Sequence, residues 1–349
     1  MYLVNKYTDK ENKQIDEQTI VKSVTIDSLY RENYKQSESN DFIIRLPTTI
    51  TNVIGMKLTA VELPNTWYVF NEYNNTFRIT VKNDKAGCEE TQNFTITIAP
   101  GNYDASDLET KINEYFLRNT EYTTNLLQFL TFTINNHSFK TAIRFKTFEE
   151  TESSNLVSQQ YLDLHSSGNN TQTGLNTEIL SYLKYQVVFT TEAPLCVERP
   201  EYETCGWIMG YRKSHYPDNL SEYITINDEK TDWSNVYNGA LESEGIFSAN
   251  KINYIFLSVN DFVNNSKENV ISAFGNRSHI NKDLIGRITI KYGSFYVNVD
   301  AGDDIFRQRQ YNGPVNIDKL HVKLIDKYGN LLNLNKSDYS FILEFVQTR

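Results

Sequence analysis

The sequence predicts an all-β fold, an antiparallel β-sandwich of jelly-roll type with one amphipathic helix and a long polar insertion. Three observations predict it. Roughly a dozen short runs alternate apolar and polar residues with period 2, bounded by turn residues. A single stretch carries a clear helical period. The surplus polarity lies in Asn, Thr and Ser, which favour turns and strand faces over helix interiors.

The chain has 349 residues, with 23 Tyr and 19 Phe against a total hydrophobic content of only 39%. Large rings bury much area per residue, so the shortage of aliphatics does not imply disorder. A formal net charge of −10 and a pI near 5.1 oppose a protein that coats nucleic acid by neutralising phosphates. The N-terminus lacks a charged-then-apolar leader, and no run approaches the roughly 18 apolar residues of a membrane span. Cys88, Cys196 and Cys205 have neither metal-ligand spacing nor a disulfide framework and read as reduced thiols.

Residues 1–19 are polar, lack periodicity, and read as an extended arm that orders on a partner. Residues 20–26 open the β domain, which is expected to run from 20 to 349. The plan is plainest in residues 41–70, DFIIRLPTTITNVIGMKLTAVELPNTWYVF. Phe42, Ile44 and Leu46 share one face of a first strand, and Pro47 is expected to end it, having no N–H for the ladder. A second strand spans 54–63. Trp67, Tyr68 and Phe70 follow as an aromatic patch that either caps the core or meets a neighbour.

Runs 77–81 and 94–99 are further strands. Residues 106–118 form the helix, with Ser106 as its cap, Glu109 three residues on, and Leu108, Ile112, Tyr115 and Phe116 on one face. Strands resume at 129–135 and 142–148. From 149 to about 179 the pattern dissolves into Ser, Asn, Thr, Gln and Gly, 185–191 is strand-like, and the polar insertion is placed around 149–200. Residues 205–212, CGWIMGYR, form an apolar knot with Trp207 as a core plug. The C-terminal third is the most regular, with strands at 252–259, 284–291, 295–299, 320–326 and 339–346, a break at Gly313-Pro314 and a turn at 327–330. One composite domain is favoured, because the early strands find no complete set of partners before the middle of the chain. The alternative is two sandwiches split near 217–221.

Chemistry is sparse. His137, His165, His215, His279 and His321 stand singly, and no HxxxH, GxSxG, GxxxxGK[ST] or GxGxxG pattern occurs, so no catalytic, cofactor-binding or metal residues are assigned and no enzyme activity is expected. Asp303-Asp304 is the one adjacent acid pair of interest and reads as a solvated turn more readily than as an ion site in a hydrolase. Arg307, Arg309 and Tyr311 suit an acidic partner, since an Arg fork matches carboxylates, although a charge-guarded edge strand explains them equally. The candidate interface is therefore Trp67, Tyr68, Phe70, Arg307, Arg309 and Tyr311.

Seven stretches carry a resemblance: VTIDSLYRE (24–32), DFIIRLP (41–47), NVIGMKLTAVELPNTWYVF (52–70), IAPGNYDASDLETKIN (98–113), GWIMGYR (206–212), RQYNGPVNIDKLHVKLIDKYGNLLNLN (309–335) and SFILEF (340–345). Together they make the chain resemble the jelly-roll penton and minor capsid proteins of large icosahedral DNA viruses of algae and amoebae. The resemblance implies a non-enzymatic virion component without a cofactor, assembled in host cytoplasm. Its implied partners are further copies of itself, as a homopentamer at the vertex, and the major and minor capsid proteins. A position beneath the major capsid lattice is the alternative. A carbohydrate- or receptor-binding sandwich is a reading of another class, with Trp67, Tyr68 and Trp233 as stacking platforms.

Overall fold

A computed structural model describes residues 19–87, 89–118, 125–147, 150, 181–189, 200–226, 239–248, 252–263, 265, 272–274, 277–279, 283–291, 293, 296–300 and 309–349. In chain order the strands are β1 (Thr19–Asp27), β2 (Asp41–Pro64), β3 (Thr76–Asn83), β4 (Glu90–Thr97), β5 (Leu130–Ile134), β6 (Thr141–Phe145), β7 (Leu183–Val188), β8 (His215–Tyr216), β9 (Ile224–Thr225), β10 (Leu241–Glu242), β11 (Tyr254–Asn260), β12 (Ser272–Phe274), β13 (Arg277–His279), β14 (Leu284–Thr289), β15 (Val297–Asp300), β16 (Arg309–Asp326) and β17 (Ser340–Thr348). The α-helices among the described residues are α1 (Ala105–Arg118) and α2 (Cys205–Met209). The expected arm lies outside the described residues except for Thr19, which already belongs to β1.

The chain divides into two compact units, Met1–Trp67 with Ile252–Arg349, and Tyr68–Lys251. The insertion expected around 149–200 lies outside the described residues except for 150, 181–189 and 200. The alternative boundary near 217–221 falls inside the second unit.

The first unit is built on β2, which serves two layers. On one side β2 pairs with β16 through residues 41–56 and then with β15 through residues 61–64; on the other side residues 53–62 pair with β17. The strand orders that result are β1-β17-β2-β15 and β2-β16-β11-β14, all antiparallel. With the halves of β2 counted separately, this is the double-layered order of a jelly roll. Pro47 does not end the strand. It lies between the pairs Arg45↔Lys319 and Ile50↔Ile317, where the register shifts and its missing N–H breaks no ladder bond. The turn between the halves is at Asn52, whose φ is +54° and whose N–H donates to Asn316 Oδ1 at 3.2 Å. Opposite it, residues 311–314 of β16 fall between Gln310↔Gly55 and Val315↔Val53, so the break expected at Gly313-Pro314 is a bulge inside one strand.

The two layers bury one core. Phe341, Leu343 and Phe345 of β17 and Met56, Leu58, Val61 and Leu63 of β2 come from one side, and Leu320, Val322, Leu324, Ile255, Leu257 and Ile288 from the other. Arg31 ties the loop after β1 to the far end of the chain, donating to Asp338 Oδ1 at 2.6 Å and to Ser28 O at 2.8 Å. Tyr339 sits beside this clasp, 3% exposed, stacked on Phe341 and edge-on to Phe42. Its hydroxyl has no hydrogen-bond partner among the described residues.

In the second unit, the sheet β4-β3-β7-β8, with β9 on β7, and the sheet β10-β6-β5 send Phe77, Ile79, Phe94, Tyr185, Phe132 and Ile143 into a shared core. Helix α1 packs on it through Leu108, Ile112 and Phe116. The cap is Asp104, whose Oδ1 accepts the Asp107 N–H at 2.8 Å, and not Ser106; Glu109 instead accepts the Ile134 N–H at 2.9 Å. The knot at 205–212 is a helical turn capped by Thr204 and ended by Gly210 at φ +100°, where a Cβ would lie 2.4 Å from Gly245 O. Trp207 is half-buried and covered by the Arg212 guanidinium at 4.3 Å, so it is not the central plug expected.

A buried hydroxyl without a partner costs about 1–3 kcal/mol. Tyr339→Phe is therefore expected to leave stability unchanged or raise it, as measured by urea unfolding with intact far-UV circular dichroism; a clear loss would show that the hydroxyl is bonded in solution.

Candidate interaction surfaces

The aromatic patch at 67–70 is turned inward. Trp67 is 5% exposed in the first unit's core, and Phe70 is fully buried in the second's. Phe70 exchanges both backbone hydrogen bonds with Gly101, at 3.1 and 2.9 Å, and its ring meets Tyr103 edge-on. Tyr68 is half-buried. Trp67 and Phe70 are thus core residues and offer no free face to a neighbour or a sugar ring. Trp233 lies outside the described residues.

Arg309 and Tyr311 do find an acidic partner, but within their own chain. Arg309 Nη1 donates to Asp261 Oδ2 at 2.8 Å, and the Tyr311 hydroxyl donates to the same oxygen at 2.5 Å. The Arg309 and Asp261 side chains are each 4% exposed. Burial, then the Asp261 charge and hydrogen bond, raise the Tyr311 phenol above its ordinary range. The triad pins the first residues of β16 to the end of β11, beside the bulge. Both residues are therefore corrected from surface contacts to internal struts. The period-2 pattern carries no sign of this, because Asp261 is separated from Arg309 by four strands and their loops. Arg307 and the pair Asp303-Asp304 lie outside the described residues.

A second ion pair holds the end of β6. Both Arg144 Nη atoms donate to Glu150, at 2.8 and 2.9 Å, and the Thr147 N–H adds a third bond at 2.7 Å. The bidentate Arg144 pairing holds the Glu150 carboxyl down at about 2, against an opposing contribution from burial.

His321 Nε2 meets Asp41 Oδ1 at 2.5 Å across the β16–β2 pair. Cys205 is a buried thiol that donates to Thr76 O at 3.3 Å; Cys88 and Cys196 lie outside the described residues. Among the described residues no group of three or more His, Cys, Asp or Glu is placed to hold a metal, and no helix is long and apolar enough to cross a membrane. An open cleft of about 470 Å³ in the second unit is lined by Lys213, Tyr216, Pro217, Leu241 and Glu244 among others. Its polar groups engage one another: Tyr216 donates to Glu244, and Lys213 pairs with Asp218 at 2.8 Å.

The apolar groups that do reach solvent are ones the sequence reading did not select. Tyr296, Val297 and Val299 of the β15 edge are 66%, 54% and 53% exposed, and Ile20 and Val21 of β1 are 47% and 56% exposed. β1 and β15 are the outer strands of one layer. Their signal in the sequence is an apolar residue at an outward register position of a strand that has only one partner.

A family of unknown function (DUF5901) matches residues 12–158, less than half of the chain, covering β1 to β6. No curated protein matches. Among solved structures, the crystal structure of a selenomethionine-labelled mavirus penton protein is similar over 95% of this chain and all of its own, with 11% identity and a TM-score of 0.44. A likeness at that level does not establish a shared role.

Removing one partner of a buried pair strands the other charge. Asp261→Ala is expected to cost about 3–5 kcal/mol in chemical denaturation, and Asp261→Leu with Arg309→Met distinctly less. Equal losses would mean the pair is not buried as described. For Glu150 the folded value lies below the unfolded one, so its stabilisation is present above the ordinary carboxylate range and fades as pH falls from about 5 towards 2. Its side chain is 43% exposed, so water screens the pair and the increment is modest. The stability gap between the protein and Glu150→Gln should shrink over that window; a gap that does not change with pH would contradict the pairing.

Proposed function

We propose that this protein is a structural component of an icosahedral virion, a penton at the fivefold vertex that acts by packing against copies of itself and neighbouring capsid proteins. The observation that carries the reading is the strand order of the first unit, β1-β17-β2-β15 over β2-β16-β11-β14. Double-layered jelly rolls of this order build capsid shells, but they also serve lectins and cupins, so the fold alone does not choose. Two further features favour a shell. Motifs resembling penton and minor capsid proteins run through both units of the chain. The outward apolar groups lie on strand edges, where one subunit meets the next, rather than around the open cleft.

In this reading the protein makes and breaks no covalent bonds. Rigid layers satisfy their own backbone hydrogen bonds and present fixed edges for lateral contact, so shell geometry follows from subunit shape. The acidic balance of the chain suits contact with protein neighbours more than with packaged nucleic acid. Assembly in host cytoplasm belongs to the same reading.

The test is where the chain sits in purified particles. Density for the jelly roll around each fivefold vertex is the expected result. Density confined to the inner face between capsomers would move the protein to a minor capsid role, and absence from the particle would overturn a shell function altogether.

A further inference from the structure

We propose that the loop between β1 and β2 is the surface through which this chain meets a second copy of itself, with Leu29, Tyr30 and Tyr34 as its contact residues. The inference rests on the shell reading and names the face by which copies join.

The loop is wound around one buried cation. The side chain of Arg31 is 5% exposed. Its guanidinium donates to Ser28 O at 2.8 Å, to Ser37 O at 3.2 Å and to Asp338 Oδ1 at 2.6 Å, and it lies 3.9 Å from the centre of the Tyr34 ring. Asp338 also accepts from the Ser28 and Tyr34 hydroxyls, at 2.8 and 3.2 Å. The Glu32 N–H donates to Ile43 O at 3.1 Å, so the loop is fixed both to β2 and to the approach to β17. All of these partners lie within 19–64 or 309–349, which are described throughout. A buried charge is costly unless its bonds are complete, and here the completed set holds the shape of a surface loop.

That shape turns apolar groups outward. Tyr30 is 75% exposed, Leu29 48% and Tyr34 44%. They take no part in the core of the first unit. Tyrosine held in one conformation supplies contact area at little entropic cost, which suits it to protein contacts.

Charge says which protein. The second unit, residues 68–251, carries 25 Asp and Glu against 14 Lys and Arg, whereas the remainder of the chain carries 19 against 20. The net negative charge therefore belongs to the second unit, and copies of the chain repel one another through it. The charges of residues 28–40 are Arg31, Glu32, Lys35 and Glu38, which cancel. A neutral apolar patch has no field with which to select a strongly charged partner, and it is where like-charged copies can touch without opposing one another.

The test uses the full chain with p-benzoylphenylalanine at position 30, as an equal mixture of ordinary and heavy-nitrogen-labelled protein, irradiated and read by peptide mass. Cross-links from position 30 of one isotopic form to residues 1–67 or 252–349 of the other are expected. In sedimentation, Leu29→Ser with Tyr30→Ser should weaken self-association about tenfold or more while the circular dichroism spectrum is kept. Leu220→Ser with Ile246→Ser, at positions 62% and 57% exposed on the second unit, should leave it unchanged. Added salt should strengthen the association, because it screens the repulsion between acidic units. A monomer at every concentration, cross-links confined to one chain or to residues 68–251, equal losses from the two double variants, or an association that weakens with salt would each overturn the inference. Its failure is separable from that of the shell role: vertex density with residue 30 turned away from the neighbouring copy sinks only this contact, and a cross-linked chain absent from particles sinks only the shell.

Discussion

The first unit depends on one strand belonging to two layers. The first half of β2 lies beside β16 alone, residues 53–56 lie between β16 and β17, and its end lies between β17 and β15, with Asn52 at positive φ where β17 joins. Alternation leaves little freedom in this arrangement. A slip of one residue would turn Met56, Leu58, Val61 and Leu63 out of the core and bring Lys57 and Glu62 in. The bulge at 311–314 absorbs the mismatch between the two halves, and the Asp261–Arg309–Tyr311 triad holds that bulge at its root. Buried charge is placed where the backbone departs from regular pairing, which is where apolar packing alone specifies least.

Much of this was legible in the sequence because strand alternation is a local property. The runs at 41–46, 54–63, 77–81, 94–99, 320–326 and 339–346 all became strands, and Leu108, Ile112 and Phe116 marked the face of α1. What was not legible depended on partners. Pro47 looked like a terminator because a ladder position was assumed for it, and the structure puts it where no ladder bond is due. Ser106 and Glu109 fitted a capping box, yet Asp104 is better placed to cap, and Glu109 is used by β5.

The same limit explains the domain division and the interface. The early strands do lack partners in the middle of the chain, as alternation suggested, but the missing partners are β15, β16 and β17, beyond the whole of Tyr68–Lys251. Aromatic and arginine side chains were chosen for a surface on residue type, and residue type also suits a core: Trp67, Phe70, Arg309 and Tyr311 are all internal. The exposed set at β15 is made of ordinary valines and one tyrosine, distinguished only by lying on an unpaired edge.

The pairing of β1 with β17, from Thr19↔Thr348 to Asp27↔Ser340, joins the first described strand to the last. On the ribosome, the strands of the first unit that emerge earliest have no partner until the final stretch is translated, while every strand of the second unit is already out of the exit tunnel. Vectorial synthesis therefore makes the inserted unit available first and leaves β1 and β2 waiting, with the apolar face of β2 uncovered in the interval.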